Sequence, residues 1–308
     1  MRYSLPDGVW PVMLTPFSDD GKIDYGALEE LIDWYAGKGC DGLFAVCQSS
    51  EMFFLSQDER VELAAFVKKH AGKLPVIASG HVSDSMEAQK QEMQRMADTG
   101  VDAIVLLSNR FDNGTGDDEL FIKNLDELTA SLPESVPLGF YECPYPFKRV
   151  LTPAILRHCL DVGRYHFIKD TCSDINCIRA KLDILRGTGM KLFNANTASL
   201  SKSLEAGASG YCGVMANFHP ELYKWLVENR VSQPEKADIL QNVLTLSALI
   251  ELKSYPMNAK VYLNRYEGLH LGRSCRKNGC TGDIGPAESL ELEQFKHISE
   301  ELVKMLRA

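Results

Sequence analysis

The chain predicts a (β/α)8 barrel with a C-terminal helical extension, and three observations carry that expectation. Short apolar runs alternate with longer stretches of helical periodicity. The alternation recurs through about the first 230 residues, giving eight strand–helix units. Each run is apolar throughout rather than at every second position, the pattern of strands buried on both faces of a parallel sheet. Eight successive units favour a closed barrel over an open doubly wound sheet.

The first strand is expected at 10–17. Asp24 then caps a helix with Leu28, Leu31, Ile32 and Tyr35 on one face, ended by Gly37 and Gly39. A second strand at 42–47 leads to a helix capped by Ser56 and carrying Val61, Ala64, Ala65 and Val67. The third and fourth strands, 75–79 and 103–107, precede helices at about 84–99 and 117–131. Strand five covers 137–141, and its helix opens at Thr152-Pro153, a cap followed by proline in the first turn. Strands six, seven and eight fall at 165–169, 190–195 and 210–215, with helices at 174–185, 198–205 and from His219-Pro220. Three further apolar-periodic segments follow, at 234–254, 257–267 and 286–306, with the glycine-rich stretch 272–285 as a loop between the last two. They lack a core pattern of their own and are expected on the outside of the barrel. The division is then 1–230 for a barrel carrying the active site and 231–308 for a three-helix extension.

The composition, 45% hydrophobic and 24% charged over 308 residues, is that of a globular protein. With 33 Lys and Arg against 42 Asp and Glu, the net charge of −9 opposes nucleic acid and anionic membrane as partners. No apolar stretch approaches the ~20 residues of a membrane span, and residues 1–8 have no signal-peptide character. A cytoplasmic protein is expected. Its nine cysteines then read as reduced thiols. The gaps between Cys172 and Cys177 and between Cys275 and Cys280 do not suit a zinc pair, and neither metal nor organic cofactor is expected. Cys47, Cys143, Cys172 and Cys212 fall at or just past strand ends and read as small packing residues, with Cys212 retained as a candidate wall of the substrate site.

Barrel enzymes carry catalytic groups at the C-terminal ends of their strands. Lys169, after His166-Phe167-Ile168, is the most informative residue there. Burial in a barrel mouth disfavours an ammonium and frees an amine to attack a carbonyl. The resulting protonated Schiff base is an electron sink that stabilises a carbanion on the adjacent carbon. Tyr141, one strand earlier, stands ready to relay protons. The alternative is a structural lysine paired with Asp170.

Several segments in order then resemble one family over about 300 residues: Leu14-Thr15-Pro16-Phe17, Gly42-Leu43-Phe44 leading to Glu51, Tyr141-x-x-Pro144, Ile168-Lys169-Asp170, and Gly207-Ala208-x-Gly210 leading to Asn217. The family is that of dihydrodipicolinate synthase and N-acetylneuraminate lyase, pyruvate-type class I aldolases on an eight-fold barrel with a helical tail. The resemblance implies that Lys169 is the Schiff-base lysine and Tyr141 the proton shuttle. It implies a homo-oligomer, a dimer or a tetramer built as a dimer of dimers. It also puts the carboxylate-binding segment, Gly-Thr-Thr-Gly-Glu or Gly-Ser-Thr-Gly-Glu in the family, on Cys47-Gln48-Ser49-Ser50-Glu51. Ser49 keeps a hydroxyl and a backbone N–H for the carboxylate. Gln48 substitutes a longer amide for a hydroxyl, which bears against a relay through that position, and Cys47 and Ser50 replace both glycines.

Other departures bear on substrate. Pro146 stands where the synthase has the arginine that binds its aldehyde substrate's carboxylate. Phe111 stands where a second tyrosine relays protons across a subunit contact. Both oppose dihydrodipicolinate synthesis. Thr197-Ala198 replace the acidic pair with which the lyase branch binds sugar hydroxyls, which opposes sialic acid cleavage. Arg110 is a candidate for a second carboxylate, Thr171 shares the side of the strand with Lys169 at strand period, His81 is a candidate for the mouth, and Glu142 points outward. The expected function is a class I aldolase or lyase on a 2-oxo acid such as pyruvate, with Gln48, Ser49, Thr171, Arg110 and Cys212 around the substrate. A dihydrodipicolinate synthase or a 2-keto-3-deoxy sugar acid dehydratase would use the same imine. A catalytically idle binder of small oxo acids is the alternative from another class.

Overall fold

The computed structural model describes residues 4–277 and 280–307, with the side chains of Cys280 and Thr281 excepted. Eight strands run parallel: β1 (Gly8–Val9), β2 (Leu43–Phe44), β3 (Val76–Ala78), β4 (Ala103–Leu107), β5 (Leu138–Tyr141), β6 (Tyr165–Asp170), β7 (Lys191–Asn194) and β8 (Gly210–Tyr211). Their order, β1-β8-β7-β6-β5-β4-β3-β2, is that of a barrel. The ring closes between β1 and β2 through a parallel bridge of Val12 with Phe44, where Phe44 N–H donates to Pro11 O at 3.1 Å. Eight helices cover the sheet: α1 (Tyr25–Gly37), α2 (Gln57–His70), α3 (Met86–Ala97), α4 (Asp118–Thr129), α5 (Pro153–Val162), α6 (Ile175–Leu185), α7 (Leu200–Glu205) and α8 (Pro220–Asn229). Asp24 caps α1 by accepting from Ala27 N–H at 3.0 Å, and Ser56 and Glu59 form a reciprocal capping box on α2.

Strands one, two and eight are shorter than their apolar runs. Trp10, Val12, Met13, Leu14 and Phe17 are all buried, yet the ladder of β1 ends at Val9. Pro11 has no N–H to donate to a ladder, and the residues beyond it serve as wall rather than as strand. The run reports burial, and burial outlasts hydrogen bonding. The β1–β8 seam demands glycine: a Cβ on Gly210, at φ +153°, would lie 1.9 Å from the carbonyl oxygen of Gly8.

The tail departs further from expectation. Helix α9 (Pro234–Ser247) gives way to a tight turn at Ala248–Leu252 instead of continuing to residue 254, and α10 (Met257–Tyr266) begins after Pro256. A residue before proline is pushed out of the α conformation, so a helix cannot run through Tyr255. The turn carries residues 251–256 to the mouth of the barrel, where sequence patterning put the tail wholly on its outside. The glycine-rich loop contains a short hairpin, β9 (Ser274–Cys275) with β10 (Cys280–Thr281), and the closing helix α11 (Pro286–Arg307) packs on α8, α9 and α10. Glu51, in the left-handed conformation at φ 62°, ties this tail to the loop after β2. Its carboxylate meets the buried Lys260 Nζ at 3.5 Å and accepts from Lys277 N–H at 2.8 Å. Among the described residues no helix is long and apolar enough to cross a membrane.

Candidate active site

Strand alternation decides which side chains reach the mouth. The β5–β6 register sets Tyr141 opposite Lys169, and both point inward while Glu142 and Asp170 point outward. Lys169 is 5% exposed and lines a cavity of about 370 Å³. Its Nζ lies 3.9 Å from the centroid of the Tyr141 ring and 5.3 Å from that of Phe44, and no carboxylate is within ion-pairing distance of it among the described residues. The expected alternative, a Lys169–Asp170 pair, is absent. Asp170 instead takes Lys181 of α6 at 2.6 Å, and Lys181 also binds Glu142.

The Tyr141 hydroxyl donates to Gln48 Oε1 at 3.3 Å. Burial, reinforced by the Cys143 and Cys47 thiols, holds this phenol well above its ordinary range, so it stays an O–H. Gln48 and Ser49 line the cavity from the loop after β2. That loop does without its two glycines because neither position requires a left-handed backbone: only Glu51 has a positive φ there. Ser50 folds the turn by accepting from Cys47 N–H at 2.8 Å and donating to Cys47 O at 2.7 Å. Thr171 reaches the cavity as strand period requires, with its hydroxyl proton donated to Glu142 O at 2.5 Å.

Three candidates lie elsewhere. Arg110 is held by Asp84 at 3.3 Å and by the face of Phe53 at 5.9 Å, away from the cavity lining. The short turn Ser108–Arg110 directs it outward, while Asn109 is spent mooring the loop after β5 through the carbonyls of Cys143, Tyr145 and Phe147 at 2.7–2.9 Å. Cys212 is 2% exposed and behind the lining, and burial pushes its thiol up to about 12. His81 is fully buried between Gln89, at 3.1 Å from Nδ1, and Leu107 N–H, which donates to Nε2 at 2.6 Å.

Burial lowers His81 to about 4 and His219 to about 3, so the native state keeps both imidazoles neutral. A depressed folded pKa gives stability that is fully present above the unfolded value near 6.5 and is lost as pH falls towards 4. Urea titrations at pH 7.5 and pH 5 should show a loss of about 2 kcal/mol per histidine over that interval. His81→Gln should remove its share of the pH dependence, whatever the variant costs at pH 7.5.

Sequence reasoning missed the contribution of the tail. Glu251, Leu252, Tyr255 and Pro256 line the cavity, as do Asn196 after β7 and Lys277 from the hairpin segment. Burial pushes the Glu251 carboxyl up to about 7 against the opposing pull of the Lys169 charge. The available signal was Pro256, which forbids the continuous helix that the periodicity suggests.

The site is thus a parallel barrel with a buried lysine that has no ion-pair partner among the described residues, and with a tyrosine on the neighbouring strand end. Residues 5–297 match the dihydrodipicolinate synthetase family. The chain belongs to that family, and it is a carbon–carbon lyase. The 4-hydroxy-tetrahydrodipicolinate synthase of Haloarcula marismortui is 25% identical over 268 residues, 86% of either chain. That of Brachyspira hyodysenteriae is 20% identical over 96% of this chain and 97% of its own. The sialic acid aldolase of Ruminococcus gnavus, solved as its catalytic lysine mutant, superposes with a TM-score of 0.86 at 19% identity, over 99% of this chain and 100% of that one. A prophage protein of the same family from E. coli K12, solved in complex with pyruvate, has a TM-score of 0.80 at 21% identity, over 97% and 99% of the two chains.

Proposed function

We propose that this protein is a Schiff-base-forming class I aldolase acting on pyruvate or a pyruvate-yielding 2-oxo acid. The observation that carries this reading is the Lys169 amine, with no ion-pair partner among the described residues, lying 3.9 Å from the centre of the Tyr141 ring in the cavity at the barrel mouth. Lys169 attacks C2 of the 2-oxo acid and water leaves. The iminium then accepts the electron pair released when the C3–C4 bond breaks or a C3 proton departs. Tyr141 moves the proton at C3. Gln48 and Ser49 hold the carboxylate, and Thr171, whose hydroxyl oxygen keeps acceptor capacity, meets a substrate hydroxyl.

Dihydrodipicolinate synthesis fits less well, although the curated relatives bear that name. Pro146 occupies the position of the carboxylate-binding arginine, Arg110 is engaged by Asp84, and no arginine is among the described residues of the cavity wall. Work as a homo-oligomer in the cytoplasm, with no cofactor, belongs to the same reading.

Borohydride trapping tests it. Incubation with pyruvate, reduction, and intact-mass and peptide mapping should place a reduced pyruvyl adduct on Lys169, and Lys169→Ala should give none. Failure with pyruvate and with a panel of other 2-oxo acids would sink the aldolase reading and leave the idle binder in front.

A further inference from the structure

We propose that Glu251 is the acid–base residue for the hydroxyl at C4 of a 4-hydroxy-2-oxo acid. In cleavage its carboxylate takes that proton, and in condensation its carboxylic acid returns the proton to the aldehyde oxygen. The proposal rests on the lysine-imine reading and supplies a group that reading lacks.

The tyrosine is poorly placed to serve both carbons. Its hydroxyl meets the Gln48 amide oxygen and the Cys143 thiol. An amide has no readily transferable proton, and burial holds the thiol at about 11. Phe111, where the resemblance would have a second hydroxyl, is buried between His81 and Phe121. Among the described residues the Tyr141 hydroxyl thus makes no hydrogen bond to another hydroxyl that would reload it.

Glu251 offers what is missing. The turn that follows α9 delivers it to the cavity that holds Lys169, Tyr141 and Thr171. It has no hydrogen-bond or ion-pair partner among the described residues, although its neighbour Lys253 is paired with Glu291 and Ser254 binds Glu288. The titratable groups facing it are Lys169 of β6, Tyr211 of β8, Tyr223 of α8 and Tyr255 beside it on the tail, while Lys277 lines the same cavity. Burial holds the three tyrosines above their ordinary range, so they remain neutral. Burial likewise raises the carboxyl to about 7, where it both takes and gives a proton near neutrality. The protonated imine carries the positive charge of Lys169 until the enamine forms, and the charge returns when C3 is protonated.

The cleavage step balances. Glu251 removes the C4 hydroxyl proton and the C4–O bond becomes the aldehyde carbonyl. The C3–C4 bond breaks, and its electron pair enters the iminium to give the enamine. Protonation of the enamine at C3 by Tyr141 and hydrolysis of the imine release pyruvate. Water then carries the proton from Glu251 back to Tyr141.

The test separates the two carbons. In D2O, exchange of the pyruvate methyl protons reports imine and enamine formation without an aldehyde. Condensation of pyruvate with a panel of two- to four-carbon alkyl aldehydes and hydroxyaldehydes, glyceraldehyde among them, reports the second half. Glu251→Gln should keep borohydride trapping at Lys169 and methyl exchange within about two-fold, while condensation falls by about 100-fold or more. Wild-type condensation should decline as pH rises through about 7, since the acid form is the donor. The variant should lack that limb, and Glu251→Asp should recover part of the rate. Condensation by Glu251→Gln within three-fold of wild type, or with the same pH limb, overturns the assignment. An equal loss of exchange and condensation overturns it too, because a structural role then suffices. So does a wild type that traps pyruvate yet condenses none of these aldehydes. A wild type that traps no 2-oxo acid fails earlier, at the lysine-imine reading itself.

Discussion

Lys181→Met is expected to cost about 3–5 kcal/mol of folding stability. Lys181 Nζ, on α6, bridges Asp170 and Glu142, and the exposures of the three side chains are 3%, 0% and 0%. Removing the cation leaves two buried carboxylates facing each other. Their desolvation was offset by the ammonium, and nothing else charged takes its place. Burial and the neighbouring Asp170 already raise Glu142, so the variant should relieve itself by taking up protons, and its deficit should shrink as pH is lowered. Urea denaturation at pH 8 and pH 5.5 checks both parts. Adding Glu142→Gln and Asp170→Asn should recover most of the loss, because a site without charge needs no counter-ion. A loss under about 1 kcal/mol in Lys181→Met would mean that the carboxylates are solvated after all.

The same triad explains why the active strands sit as they do. Glu142 and Asp170 each follow an inward residue, so the Lys181 clamp grips β5 and β6 from the outside at the level where Tyr141 and Lys169 project inward. Glu142 also accepts from Leu151 N–H at 2.9 Å, and Thr171 N–H donates to it at 3.3 Å, which steadies the loops beyond both strands. The outward carboxylates thereby add a side-chain clamp to the backbone pairing that sets Tyr141 opposite Lys169.

This arrangement also marks how far the sequence was legible. Strand period alone places Lys169, Tyr141 and Thr171 on one side and Glu142 on the other, because neighbours along a strand must alternate. The eight units were legible for the same reason: burial on both faces writes an unbroken apolar run. The strand ends were not, since Val12 to Phe17 are buried without continuing the ladder of β1. Arg110 and Cys212 show a further limit. Position relative to a strand end says that a residue is near the mouth, but a local turn and an Asp84 carboxylate decided where Arg110 points. Glu251 lay in a segment whose periodicity is helical, and only the break before Pro256 turns it towards the cavity.

Tyr141→Phe should lower turnover by about 10²–10⁴ while leaving the imine intact. Phenylalanine keeps the ring against which Lys169 Nζ rests at 3.9 Å, and keeps the edge contact with Phe44 at 5.8 Å between centroids. The change therefore removes one O–H and its hydrogen bond to Gln48 without disturbing the amine. Borohydride trapping of pyruvate on Lys169 should persist, and exchange of the pyruvate methyl protons in D2O should fall with turnover, since both pass through C3. Because the phenol is held well above 10, wild-type exchange should show no limb from Tyr141 below that pH. The contrast with Glu251→Gln is then sharp: one variant loses C3 exchange and condensation together, the other loses condensation alone. Were Tyr141→Phe to exchange the methyl protons at the wild-type rate, the proton at C3 would be moved by another group. The cavity would then have to be read as a lysine served by a single carboxyl from the tail.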